Sequence, residues 1–153
     1  MTDLGIDFAQ KVLDEQPFSR LLGARITAFA DGAATLEVDI RDDLRQQFGY
    51  AHGGLLAYAA DNALTFAAGT VLGPAVLTGG FSVQYLRPAR DGTLRAEAYV
   101  VHAGRRQAVC RCDIYVVGPD GASAADAADS EGGAELCAVA QGTILTAPPR
   151  ADA

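Results

Sequence analysis

From Leu55 to Ala68 the chain is apolar at nearly every position, yet it carries one carboxylate, Asp61, with Asn62 beside it and Thr65 four residues on. A helix apolar around almost its whole circumference is normally enclosed by its own protein. An ionised carboxylate in such a place is costly unless it is paired, hydrogen-bonded or put to use. The segment supplies few polar partners. Catalysis therefore explains Asp61 better than a buried acid satisfying backbone groups or an arginine. The pattern places the helix at about 53–69, opened by His52-Gly53-Gly54. Thr65 shares the helical face of Asp61 and is placed to hydrogen-bond the carboxylate or a bound group. Asn62 faces another direction and reads as structural.

The flanking sequence supplies what could enclose such a helix. Residues 6–22 read as one amphipathic helix, with Phe8, Val12 and Leu13 at helical spacing. A strand at 24–29, the turn Asp31-Gly32 and strict alternation at 35–40 follow, then a polar connection at 41–49. Beyond Gly73-Pro74, three runs alternate, through Phe81, Val83 and Tyr85, then Leu94 to Val100, then Ala108 to Val116. Turns at Asp91-Gly92 and Gly104-Arg105-Arg106 separate them and predict an antiparallel meander. An acidic loop rich in alanine and glycine (118–135) precedes a last strand at 136–145, and 147–153 reads as a frayed tail. The expected architecture is α+β, a single domain over residues 1–153 with one antiparallel sheet wrapped around one long central helix. Its open edge strands and uncovered far face call for a second copy, so at least a homodimer is expected.

A chain of 153 residues with 50% hydrophobic and 20% charged residues is long enough to bury one sizeable core. Asp61 and Asn62 interrupt the best candidate for a membrane span. The acidic start, Met1 to Asp7, lacks the basic region of a secretory leader, so a cytoplasmic protein is expected. A net charge of -7 argues against a nucleic-acid partner. Between Arg87 and Arg111 six arginines face two acids, whereas 119–135 holds five acids and no base. A basic stretch on an acidic protein suggests a small anionic ligand; exposed arginine-rich strand faces are the plainer reading. Cys110 and Cys112 face one side of a strand, and with Cys137 they read as small core residues in a reducing compartment, with no metal expected.

The helix entrance carries a second chemical possibility. The first N–H groups of a helix lack internal partners and carry the positive end of its dipole. Glycines there let a ligand approach the backbone, as an oxyanion hole requires; a tight helix entry explains the same residues. His52 is either a general base or, the favoured reading, a loop hydrogen-bonder that fixes the glycine turn. His102 reads as a surface residue. Tyr58, Phe66 and Phe81 could line an aromatic pocket, although core packing explains them more simply.

The stretch Gln46-Gln47-Phe48-Gly49-Tyr50-Ala51-His52-Gly53-Gly54, with Asp61 nine residues after the histidine, resembles the hotdog-fold acyl-CoA thioesterases of the phenylacetic-acid-degradation (PaaI-like) type. Phe81 to Ala89 resembles that family's strand ending in Arg-Pro, His102 to Arg106 its basic turn, and Ala140-Gln141-Gly142-Thr143 its closing strand. The resemblance implies Asp61 as nucleophile or as base for water, and the Gly53 N–H as the group that polarises the thioester carbonyl. It implies that Gln46 helps to place water or the carbonyl, and that His52 precedes the glycines as usual. Thr65 matches a hydroxyl of the 4-hydroxybenzoyl-CoA branch, and Thr78 a position that orients water from the neighbouring subunit. Gly54 joins the substrate-binding set with Arg87, Arg105 and Arg106, whose guanidinium groups suit the phosphates of coenzyme A. The implied substrate is an aryl, short or medium acyl-CoA. No cofactor is implied, since CoA is part of the substrate. The implied assembly is a homodimer built into a homotetramer.

A thioester is electrophilic and its thiolate leaves readily, so a positioned carboxylate and a polarised carbonyl suffice for hydrolysis. Two other readings compete. A non-catalytic acyl-CoA sensor of this fold would not need Asp61, and the residues before Gly23 are too few for a DNA-binding segment. A hotdog dehydratase relies on a histidine working with an acid in a different surrounding motif.

Overall fold

The computed structural model describes residues 5–118 and 134–148; most of the expected acidic loop and most of the expected tail lie outside the described residues. The N-terminal segment forms two helices, α1 (Ile6–Asp14) and α2 (Pro17–Leu22), where the sequence pattern predicts one over 6–22. Pro17 is the reason. It forces Gln16 into extended backbone (φ -88°, ψ 111°) and then starts the second helix at a position that lacks an internal N–H bond anyway. Gly23 ends α2 in the left-handed region.

Strands β1 (Arg25–Ala30) and β2 (Ala33–Asp39) are joined by Asp31 and Gly32, both at positive φ, the geometry of a tight hairpin. The central helix α3 (Gly53–Leu72) runs three residues past the expected end and stops at Gly73, before Pro74. Strands β3 (Val76–Tyr85), β4 (Thr93–Ala103), β5 (Gln107–Val117) and β6 (Ala134–Thr146) complete a six-stranded sheet in the order β1-β2-β4-β5-β6-β3. Every neighbouring pair is antiparallel.

Of the meander expected of β3, β4 and β5, the β4–β5 hairpin holds, whereas β3 pairs only with β6 at the far edge. The connection 86–92 contains Pro88 and passes beneath the entrance of α3, where the Ala51 N–H donates to Ala89 O at 2.7 Å. It is a crossover, not a hairpin.

The sheet wraps α3. Ala59, Ala60, Ala63, Ala67 and Ala68 are fully buried, and their small side chains let the strands close on the helix backbone. Leu36, Leu94, Ile114 and Ile144 reach in from the strands. By length and composition α3 qualifies as a membrane span, contrary to the expectation that Asp61 and Asn62 disqualify it. It serves here as the core helix. The expectation that it is buried nearly all round is also too strong. Gly53, Ala57, Asp61, Thr65 and Gly69, four residues apart, form a half-open stripe.

All three cysteines are fully buried, as the pattern predicts. Burial pushes the Cys110 thiol up to about 11 and that of Cys137 up to about 12.

The edge strand β3 carries a bulge between Thr78 and Gly80, and it lies against Gly142 of β6. A Cβ on Gly142 would sit 2.6 Å from the Phe81 Cβ and 2.8 Å from Gly80 O. Gly142→Ala should therefore push β3 off the sheet and cost about 2 kcal/mol or more, read as a lower urea midpoint.

Candidate active site

The entrance of α3 is held by its preceding loop. Arg45 donates to Asp42 (3.1 Å), Asp91 (3.0 Å) and the carbonyls of Gly49 (2.8 Å) and Arg90, tying residues 41–52 to the 90–91 turn. Gln46 Oε1 accepts from the N–H groups of Phe48 (2.5 Å) and Tyr50 (3.2 Å) and so shapes the turn itself. His52 caps the helix, its Nδ1 accepting from the Gly54 N–H at 2.8 Å. The bond supports the favoured reading of His52 and occupies the Gly54 N–H, which is thus no free donor for a substrate. The Gly53 N–H has no protein acceptor among the described residues.

Gln46, Gly53 and Arg87 line one cleft of about 310 Å³. Tyr85, which the sequence does not single out, closes its side and donates to Gly53 O at 2.8 Å. Arg87 pairs with Glu135 at 2.7 Å.

Two turns along α3, half-buried Asp61 lies on the open stripe. The Thr78 hydroxyl donates to its Oδ1 at 2.5 Å, and Oδ2 has no protein partner among the described residues. Thr78 thus meets the carboxylate of its own chain, where the resemblance implied a role toward a neighbouring subunit. Thr65 does not reach Asp61. Its hydroxyl turns back to Asn62 O at 2.7 Å, the local bond that serine and threonine readily make in helices.

Thr65 and Thr78 instead line a second hollow of about 250 Å³, together with Phe8, Phe29 and Phe66. The rings of Phe29 and Phe66 meet edge to face, 6.3 Å apart and at 82°. Of the three aromatics noted in the sequence, only Phe66 lines this hollow. Tyr58 belongs to a polar network and Phe81 packs over Gly142.

That network is absent from the sequence reading. Tyr58 donates to Ser19 (2.6 Å) and Ser19 to Gln16 (2.6 Å). Asn62 Nδ2 reaches Gln16 (3.1 Å), Ser19 (3.2 Å) and Tyr58 (3.0 Å). Burial raises the pKa of the Tyr58 phenol above its ordinary value, although its bonds to Ser19 and Asn62 oppose the rise. Nothing local in the sequence marks this group, because its members are up to 46 residues apart.

The two hollows belong to different stations of one helix. Eight residues separate Gly53 from Asp61, about 12 Å along the axis. Nor do the arginines form one patch. Arg105 and Arg106 are exposed in the β4–β5 turn beside Thr146, at the opposite end of the sheet from Arg87. Arg90 lies over the Tyr50 ring and Arg111 bonds Gln141 at 3.0 Å.

An antiparallel sheet curled about one long central helix is the hotdog arrangement. Comparison with known proteins agrees. Residues 48–122 match the family model of the thioesterase superfamily. A thioesterase family protein from Silicibacter pomeroyi superposes with a TM-score of 0.77 at 30% identity, over 91% of this chain and 97% of that one. A mutant of the phenylacetic acid degradation protein PaaI from Thermus thermophilus gives a TM-score of 0.69 at 30% identity, over 86% of this chain and 99% of that one. The 1,4-dihydroxy-2-naphthoyl-CoA hydrolase of Listeria monocytogenes is 26% identical over 86 residues, 55% of this chain and 70% of that protein. The chain belongs to the thioesterase superfamily, as a PaaI-like hotdog member.

The His52 cap separates two roles experimentally. Asparagine can also accept at a helix N-cap. His52→Asn should therefore keep thioesterase activity within about threefold, whereas His52→Ala should lower stability by about 1 kcal/mol. Loss of turnover in a stable His52→Asn protein would make the imidazole a base.

Proposed function

We propose that this thioesterase hydrolyses an aryl, short- or medium-chain acyl-CoA, with Asp61 as the reacting carboxylate. The observation that carries the reading is the Asp61–Thr78 pair beside an apolar hollow. Thr78 holds Oδ1 and leaves Oδ2 free for the substrate. Oδ2 either attacks the thioester carbon, expelling CoA thiolate and leaving an acyl-aspartyl anhydride for water to cleave, or takes a proton from the attacking water. Both routes end in free acid and CoA, and no cofactor enters either.

The attacked carbonyl also needs a donor for its developing negative charge. The Gly53 N–H has no acceptor among the described residues and sits at the positive end of α3. At about 12 Å from Asp61 it is too far to serve the same substrate within one chain, because reacting groups must lie about 3 Å apart. The missing donor is supplied by a second copy. The β3 edge is unpaired on its outer side and exposes Leu77 and Tyr85. Antiparallel pairing of two β3 edges about their midpoint lays the Tyr85–Gly53 end of one chain beside the Thr78–Asp61 pair of the other. The same pairing brings Arg105 and Arg106 of one copy toward the Arg87 end of its partner, where CoA phosphates would be met. Further association into a tetramer uses the outer face of the sheet.

Thiol release from a panel of acyl-CoAs tests the assignment. Asp61→Asn should lower kcat by about a thousandfold or more, and Thr78→Val by about 10- to 100-fold through a misplaced carboxylate. Undiminished turnover by a folded Asp61→Asn protein would sink the reading. Gly53 offers a sharper variant. Proline is favoured at the first helical position and lacks an N–H. His52 already has the extended backbone that precedes proline (φ -59°, ψ 137°). Gly53→Pro should fold, yet lose about 100- to 1000-fold in kcat, whereas Gly53→Ala, crowding only the Tyr85 ring, should keep most of it.

A further inference from the structure

We propose that α1 is the specificity wall of the acyl pocket, and that Asn62 is the positioning residue that latches this wall to the catalytic helix. The proposal rests on the reading of Asp61 as the reacting group and adds what decides which acyl groups reach it.

The hollow beside Thr78 has walls of different origin. Phe66 and Thr65 come from α3, Phe29 from β1 and Val76 from β3, all parts of the wrapped core. Phe8 and Val12 come from α1, which is docked onto that core from outside the sheet through Ala9 and Leu13. Phe8 is 37% exposed, so this wall is thin, with the pocket on one side and solvent on the other.

A cavity of about 150 Å³ is known to hold one benzene ring. The 250 Å³ found here leaves room for one ring on a short tether, or for a medium aliphatic chain, and closes against a long one. Phe8 stands where a longer chain would have to pass.

The wall is held at identifiable points. Gln10 Oε1 accepts from the Ile26 N–H of β1 at 2.8 Å. Just beyond the other end of α1, at the N-cap of α2, Gln16 accepts from Ser19 and from Asn62, and Ser19 is 1% exposed. Asn62 follows Asp61 directly, and its backbone carbonyl anchors Thr65 at the pocket. One side chain therefore couples the placement of α1 to the part of α3 that carries the carboxylate. A polar group buried among unlike elements is costly if only partly satisfied, so the network admits one docking position rather than several.

The test compares kcat and KM for straight-chain acyl-CoAs from four to sixteen carbons, and for benzoyl- and phenylacetyl-CoA, in wild type, Phe8→Ala, Val12→Ala and Asn62→Leu. Phe8→Ala should raise the kcat/KM ratio of longer to shorter chains on the order of tenfold or more. Asn62→Leu, close in size to the original, should flatten the chain-length profile and raise KM by a larger factor than it lowers kcat. Tyr58→Phe should shift the profile in the same direction by less.

Unchanged profiles in folded Phe8→Ala and Val12→Ala proteins would overturn the wall. A uniform fall in kcat with the profile intact in Asn62→Leu would overturn the latch. If Phe8→Ala does not fold, Phe8→Leu and Val12→Ala carry the same comparison. Should wild type hydrolyse nothing in the panel, the catalytic reading fails by itself. The wall is then judged by calorimetric binding of S-alkyl-CoA thioethers, where the same shift in chain-length preference supports it and no shift overturns it.

Discussion

The organisation of this protein depends on how closely a sheet can approach a helix. Five alanines on α3 have no accessible surface, so β2, β4 and β5 lie nearly against its backbone. That contact leaves one stripe of the helix, through Gly53, Ala57, Asp61, Thr65 and Gly69, only half-covered. Asp61 fits on so apolar a helix because it sits on this stripe with a hydroxyl beside it, instead of inside the apolar face. The candidate site is thus a consequence of incomplete wrapping, and its carboxylate is carried by the element that the sheet encloses.

The outer parts are arranged around this element by bonds of a different kind. Arg45 draws the entrance loop onto the 90–91 turn, and the Gln16–Ser19–Tyr58–Asn62 network draws the N-terminal helices onto α3. Dispersion and burial set where the core lies; directional polar bonds help to set where the outer pieces lie on it.

Much of the architecture was legible because it is local. The apolar helix with its lone carboxylate, the Asp31-Gly32 hairpin and the alternating runs of β2, β4 and β5 each follow from residues close in sequence. The break at Pro17 was also there to be read, since a proline after a polar residue ends one helix and begins another. The place of β3 was not legible, because strand order depends on the route of the 86–92 crossover around the helix. Within the candidate site, the motif names Asp61, Thr78 and Gly53 as candidates but not which of them meet. Thr65 turned to its own backbone, the Gly54 N–H went to His52, and Tyr85 reached Gly53 from 32 residues away. Such pairings are settled by competition among nearby partners in space, which residue spacing does not encode.

The distance between Gly53 at the entrance of α3 and Asp61 near its middle has one more consequence. If carboxylate and carbonyl donor come from different copies, every dimer holds two sites, each built from half of either chain. A chain lacking the Asp61 carboxylate and a chain lacking the Gly53 N–H are then complementary rather than equivalent defects. Mixed and allowed to exchange, two inactive proteins would yield dimers with one intact site and one doubly damaged site, recovering up to a quarter of the native activity from parts that have none.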